Sequence, residues 1–182
     1  MKGIIMAESE KTRQKKSTTE KEVKEKIEQE KPVVAKTIDP EEYVIVRNGF
    51  QGKLIYRSPR TREKFIWDEF GSEQEMQLRE LKNAKNTYKK YFINNWFMFD
   101  EDWIIDYLGV RQYYKNALSI EHFDEIFSMP PEKIKKVIAG LSAGQKKSVS
   151  YRATELIAAD EIDSRKTIAA LEEALGVDLI EK

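Results

Sequence analysis

Two short β-rich runs, GKLIYRS (52–58) and EKFIWDEFG (63–71), stand on either side of a turn made by Pro59, Arg60, Thr61 and Arg62, and beyond Ser72 apolar residues recur at helical spacing. Strand periodicity first and helical periodicity afterwards leaves one fold class, α+β. Proline suits the turn because its φ is already fixed. With EEYVIVRN ahead of it, the stretch 43–70 reads as a short antiparallel three-stranded meander, with turns at 48–52 and 58–63. Gly49 and Gly52 are free to take positive φ in the first of these.

The rest of the chain reads as mostly helical. Ser72 stands three residues before Glu75, the spacing of a capping box, and Met76, Leu78, Leu81 and Ala84 form an approximate helical stripe, which predicts a helix over EQEMQLRELKNAKN. Phe92, Trp96, Phe97 and Phe99 read as an extended segment. Asp100 is expected to cap a helix over 101–108 that Gly109 ends. Short helical pieces follow at 110–117 and, capped by Ser119, at 120–127. Pro130 and Pro131 open a helix with Ile134, Val137, Ile138 and Leu141 on one face. Ser142 begins a longer helix, and a closing helix carries Ile168, Leu171 and Leu175 before Gly176. The last residues, GVDLIEK, offer an apolar strand or clip to a neighbour.

Residues 1–36 differ in kind, with ten Lys or Arg against seven Glu, no aromatic residue and little apolar periodicity. Such a segment buries too little apolar surface to offset its ordering entropy, so it reads as a disordered charged arm in which STTEKEVKEKIEQEK can form a transient helix. The expected organisation is an arm at 1–38, a small α+β domain at 39–128 and a helical bundle or hairpin at 129–182. The opening ten residues carry only a three-residue apolar step, far short of a signal-peptide apolar region, and no run is long enough to span a membrane, so no membrane association is expected. Met6 offers a second start.

Composition narrows the chemistry. The chain has no cysteine and one histidine, His122, so thiolate nucleophiles, disulfides, Ser-His pairs and multi-histidine metal sites are closed. His122 beside Phe123 reads as a partly buried structural residue. Asp100, Glu101, Asp102 and Asp106 could serve acid-base or Mg²⁺ chemistry, but capping and the helix dipole account for acids at the front of a helix. AGLSAGQKKS lacks the spacing of a phosphate loop, since Lys146 does not directly follow Gly144. No catalytic residue, metal or cofactor is expected.

The remaining candidate surface is the hairpin. Residues 47–64 hold Arg47, Lys53, Arg57, Arg60, Arg62 and Lys64 against Glu63 alone, in a chain of zero formal net charge. Arg57, Arg60, Arg62 and Lys64 are the candidate contacts for a polyanion or protein partner. Interleaved Phe50, Tyr56, Phe65 and Trp67 match a base-stacking surface, but strand alternation can equally place these aromatics in the core. Residues 65–82 reverse the sign, with five acids against two bases. A helix-turn-helix reading of the last two helices fails on charge, because residues 141–182 carry six bases and eight acids.

The series GKLIYRSPRTREKFIWDEFG, EMQLRELKNAKN, YFINNWFMF and IIDYLGVRQYYKNAL resembles small proteins encoded among the virion and assembly genes of tailed bacteriophages, over about residues 43–182. These motifs are structural, so the resemblance carries over no catalytic residue. It implies a non-enzymatic capsid, neck or tail accessory component that contacts copies of itself or other virion proteins, is assembled in the host cytoplasm and resides in the virion. The alternative is a phage-encoded nucleic-acid-binding or regulatory protein that uses the basic hairpin 53–67.

Overall fold

The computed structural model describes residues 38–180; the expected N-terminal arm, but for Ile38, and the last two residues lie outside them. Residues 39–180 make one compact unit of class α+β, as the two periodicities require.

Among the described residues, five short strands form two sheets. Strand β1 (Tyr43–Asn48) lies between β4 (Glu73–Gln77) and the two-residue β5 (Phe97–Met98), antiparallel to both, while β2 (Leu54–Arg57) and β3 (Lys64–Trp67) pair only with each other. The expected hairpin is therefore present, but the three-stranded meander is not, because β1 does not pair with β2. Asn48 explains the divergence. Fully buried, it donates through Nδ2 to the carbonyls of Gly52 and Glu69, both at 2.8 Å, and accepts from the Phe50 amide at 2.8 Å. These bonds fix a crossing loop in place of a tight reversal. Gly52 takes φ +113°, whereas Gly49 is needed for space: a Cβ there would stand 2.1 Å from the Asn95 carbonyl oxygen.

The hairpin lies against the three-stranded sheet, where Gln74 Nε2 donates to the Ile66 carbonyl at 2.9 Å, and Leu54, Tyr56, Phe65 and Trp67 of the hairpin are buried, as are Val44, Val46 and Met76 of the sheet. Phe97 is the hub of this core, with ring centroids 4.8 Å from Tyr91, 5.3 Å from Trp67 and 5.6 Å from both Tyr56 and Phe92. Aromatic pairs at such separations add to the gain from burial itself. Trp67 Nε1 donates to the Val46 carbonyl at 2.8 Å, which joins the hairpin to the three-stranded sheet, and Tyr91 Oη donates to the Ile55 carbonyl at 2.7 Å, which ties the segment after the first helix to the hairpin.

Helix α1 (Leu78–Thr87) starts five residues later than the Ser72 cap predicts. Residues 73–77 are instead drawn into a strand by pairing with β1, Val44 opposite Met76 and Val46 opposite Gln74, and Ser72 Oγ donates to the Glu69 carbonyl at 2.6 Å. Strand pairing outweighs a helix propensity worth only tenths of a kcal/mol per residue. After α2 (Lys90–Ile93) and β5, helix α3 (Asp102–Leu108) has Glu101 at its N-cap position and no side-chain capping bond; the expected cap, Asp100, accepts from Arg47 instead. Gly109 and Gly176 end their helices in the left-handed conformation, as expected. The piece at 110–117 contracts to α4 (Arg111–Tyr114), and the Ser119-capped helix is a 3-10 segment, Phe123–Ser128.

Helices α5 (Pro131–Gly140), α6 (Ala143–Ala158) and α7 (Arg165–Leu175) follow the sequence closely. Ser142 and Ser164 cap α6 and α7 by accepting from Gln145 N and Thr167 N. Their core, built on Ile134, Ile138, Val149, Ala153, Leu156, Ile168 and Leu171, reaches back to Phe123, Ile126 and Phe127 and forward to Leu179. The segment around Leu179 folds back onto the last helix, where Leu179 N donates to Glu172 Oε1 at 3.0 Å.

Candidate functional site

In the hairpin, Leu54 stands opposite Trp67, Ile55 opposite Ile66, Tyr56 opposite Phe65 and Arg57 opposite Lys64. Alternation sends Leu54, Tyr56, Phe65 and Trp67 inward and leaves Ile55, Arg57 and Lys64 exposed. Tyr56 and Trp67 are completely buried and Phe65 nearly so. The aromatics that a base-stacking surface would need are core residues, and Phe50 is half-buried, edge-on to Trp96.

The tip is fixed by its own bonds. Buried Ser58 accepts through Oγ from the amides of Arg60 at 3.2 Å and Thr61 at 3.1 Å, while its backbone pairs with Glu63 and Arg62. Arg62 takes φ +67°, a left-handed conformation that costs a residue with a Cβ about 1–2 kcal/mol. The tip is thus a preorganised display and not a floppy loop.

The four predicted contact residues divide into two groups. Arg57 and Lys64 face each other directly across the ladder, an unfavourable like-charge pairing, and neither they nor Arg62 form an ion pair among the described residues. Arg60 differs: its Nη2 lies 3.4 Å from Oε2 of Glu80 on α1, a carboxylate whose side chain is only 4% exposed. Glu80 Oε1 accepts from Tyr56 Oη at 2.7 Å and from Asn83 Nδ2 at 3.3 Å. Burial, then the bond to Glu80, pushes the Tyr56 phenol well above its ordinary pKa, which keeps it the donor of this bond. Arg60 serves the fold, and Arg57, Arg62 and Lys64 remain for a partner.

A second surface was not singled out in the sequence. On the outer face of the three-stranded sheet, Tyr43 and Ile45 are 62% and 44% exposed, with Glu75 opposite Ile45 and Gln77 opposite Tyr43. Arg47 on the same face is shared by Glu73 at 2.9 Å and Asp100 at 2.7 Å. The available signal was the alternation of YVIV, which buries Val44 and Val46 and turns Tyr43 and Ile45 outward.

The other candidates resolve into structural pairings. Asp102 and Asp106 do share a helix face, and both hold Arg111, whose guanidinium keeps the Asp106 carboxyl below the usual range. Glu101 accepts from Trp103 Nε1. His122 is exposed, contrary to the expected partly buried role: the 3-10 turn points Phe123 inward and leaves the imidazole Nδ1 2.7 Å from Glu125 Oε1 on the surface. In AGLSAGQKKS, Gly144 packs against the backbone of Asn94. A cleft of about 540 Å³ between the crossing loop and the helices has Phe70 and Phe123 in its wall, and its Arg152 is committed to Asp124 and Glu155.

Among the described residues no helix is long and apolar enough to cross a membrane, and no group of three or more His, Asp or Glu side chains is placed to hold a metal ion. Comparison with known proteins finds no matching family model, no similar curated protein and no similar solved structure.

Proposed function

We propose that the chain is a non-enzymatic structural or assembly protein of a tailed bacteriophage particle, a capsid, neck or tail accessory component that acts through contacts with other virion proteins or with copies of itself. The observation that carries this reading is the division of the hairpin into a buried aromatic face and an outer face of Ile55, Arg57 and Lys64. Base stacking is worth about 1–3 kcal/mol per base, and three of the four hairpin aromatics that could supply it, Tyr56, Phe65 and Trp67, are committed to the core. What is left outside is charge beside aliphatic surface, the composition of a protein interface.

The sequence resemblance supplies the setting, the virion, with assembly in the host cytoplasm. The rival reading, a nucleic-acid-binding or regulatory protein, draws on Arg57, Arg62 and Lys64, three cations on one hairpin with no ion pair among the described residues. Phosphate contact alone would make such binding sequence-independent and strongly salt-sensitive. Mass spectrometry of purified particles from a phage that encodes the chain tests the assignment. Peptides of this chain at a fixed copy number per particle are expected; peptides found only in infected-cell lysate and not in particles would contradict it.

A further inference from the structure

The two outer β faces match each other, and we propose that they are the two halves of a contact between copies of this chain: the hairpin face of one copy on the three-stranded sheet face of the next. This rests on the assembly reading above and names its interface. On the hairpin, Ile55, 44% exposed, stands beside Ile66, and one step along the ladder come Arg57 and Lys64, which lack a carboxylate partner among the described residues. On the sheet, Tyr43 and Ile45 present the apolar centre, Glu75 beside Ile45 has no cationic partner among the described residues, and Glu73 and Asp100 share one arginine. Among the described residues one face carries uncompensated positive charge and the other uncompensated negative charge, the first around exposed Ile55 and half-buried Ile66, the second around exposed Tyr43 and Ile45.

The spacing also agrees. Same-face neighbours along a strand lie about 6–7 Å apart, so a copy that sets Ile55 and Ile66 over Tyr43 and Ile45 brings the long side chains of Arg57 and Lys64 within reach of Glu73 and Glu75. The like-charge pair across the hairpin, unfavourable in the single chain, then gains the carboxylates it lacks. A contact between unlike faces repeats from copy to copy, which gives a closed ring or an open fibre.

Sedimentation velocity of the full chain over a range of concentrations tests the pairing. The native sequence is expected to self-associate in a concentration- and salt-dependent way. Arg57→Glu with Lys64→Glu, and separately Glu75→Lys, should each weaken association by about tenfold or more, a change of about 1.4 kcal/mol. All three positions are exposed, so circular dichroism should show each variant folded. An equimolar mixture of the two variants, or one chain with all three substitutions, should recover association. A native chain that stays monomeric, association untouched by either exchange, or exchanges that fail to rescue each other would each overturn the proposal. Association that persists through both exchanges condemns this interface alone, whereas absence of the chain from purified particles undoes the assembly reading itself.

Discussion

Gly49→Ala is expected to cost at least about 3 kcal/mol, the upper end of what overpacking usually costs, out of the roughly 5–15 kcal/mol that holds a domain together. The added Cβ would stand 2.1 Å from the Asn95 carbonyl oxygen and 2.7 Å from Met98 Cγ. The first neighbour is backbone, tied to the same spot because the Gly49 amide donates to the Trp96 carbonyl at 2.8 Å. Relief therefore requires parting β1 from the 94–96 loop, which breaks that bond and disturbs the β1–β5 pairing. Gly144→Ala meets the same loop from the helical side, 2.2 Å from the Asn94 carbonyl oxygen, and should be comparably damaging. Gly140→Ala is the control. Its nearest neighbour is the Asn116 side-chain amide at 3.3 Å, on an exposed helix end, so a change within about 0.5–1 kcal/mol is expected, with the lower entropy of alanine favouring the variant. Urea unfolding of the three variants decides the matter: a Gly49→Ala protein as stable as the Gly140→Ala protein would mean that the crossing loop is not the close-packed joint described here.

Glu80→Ala should cost about 2–3 kcal/mol, because a buried hydrogen bond to a charged acceptor is lost and the Tyr56 hydroxyl is left without a partner inside the core. Glu80→Gln retains an oxygen that can accept from Tyr56 and should cost less than half as much. Tyr56→Phe placed on top of Glu80→Ala should add little, since its hydroxyl has by then nothing to bond. Thermal or urea denaturation of these variants measures the coupling. Equal losses for Ala and Gln, or full additivity with Tyr56→Phe, would contradict the role given to this carboxylate. The same substitution frees Arg60 from its only described partner, so the tip gains a fourth unpaired cation while the fold weakens.

The parts of this fold that were legible in the sequence are those whose causes are local. The Ser142 cap, the left-handed Gly109 and Gly176, the stripe of α5 and the hairpin around 58–63 each depend on residues within a turn or two of one another. Strand β4 was illegible for the opposite reason. EQEMQ pairs with a strand some thirty residues earlier, and its capping-box spacing pointed to a helix that begins only at Leu78. Asn48 hid in the same way, since a polar residue before glycine looks like turn chemistry and is instead the buried anchor of a crossing loop.

The candidate site was half legible. Period-two alternation already allowed the aromatics to be core, which the structure bears out for Tyr56, Phe65 and Trp67. Arg60 could not be told from Arg57 or Arg62 by sequence, because what separates it is Glu80, a residue that reads as one more solvated acid on a polar helix. His122 misled through its neighbour: Phe123 is buried, but His122 stands at the N-cap position ahead of a 3-10 segment and not inside the α-helix expected there, and its ring stays on the surface beside Glu125.

The central claim is that the charged and apolar outer faces meet protein and not nucleic acid. Size-exclusion chromatography with light scattering tests it most directly, on the full chain at low and at moderate salt, with and without a short mixed-sequence DNA. An oligomer whose mass grows with concentration and is indifferent to DNA is the predicted result. A monomer or dimer that shifts with DNA at low salt and releases it at moderate salt would contradict the account and assign Arg57, Arg62 and Lys64 to phosphate contacts.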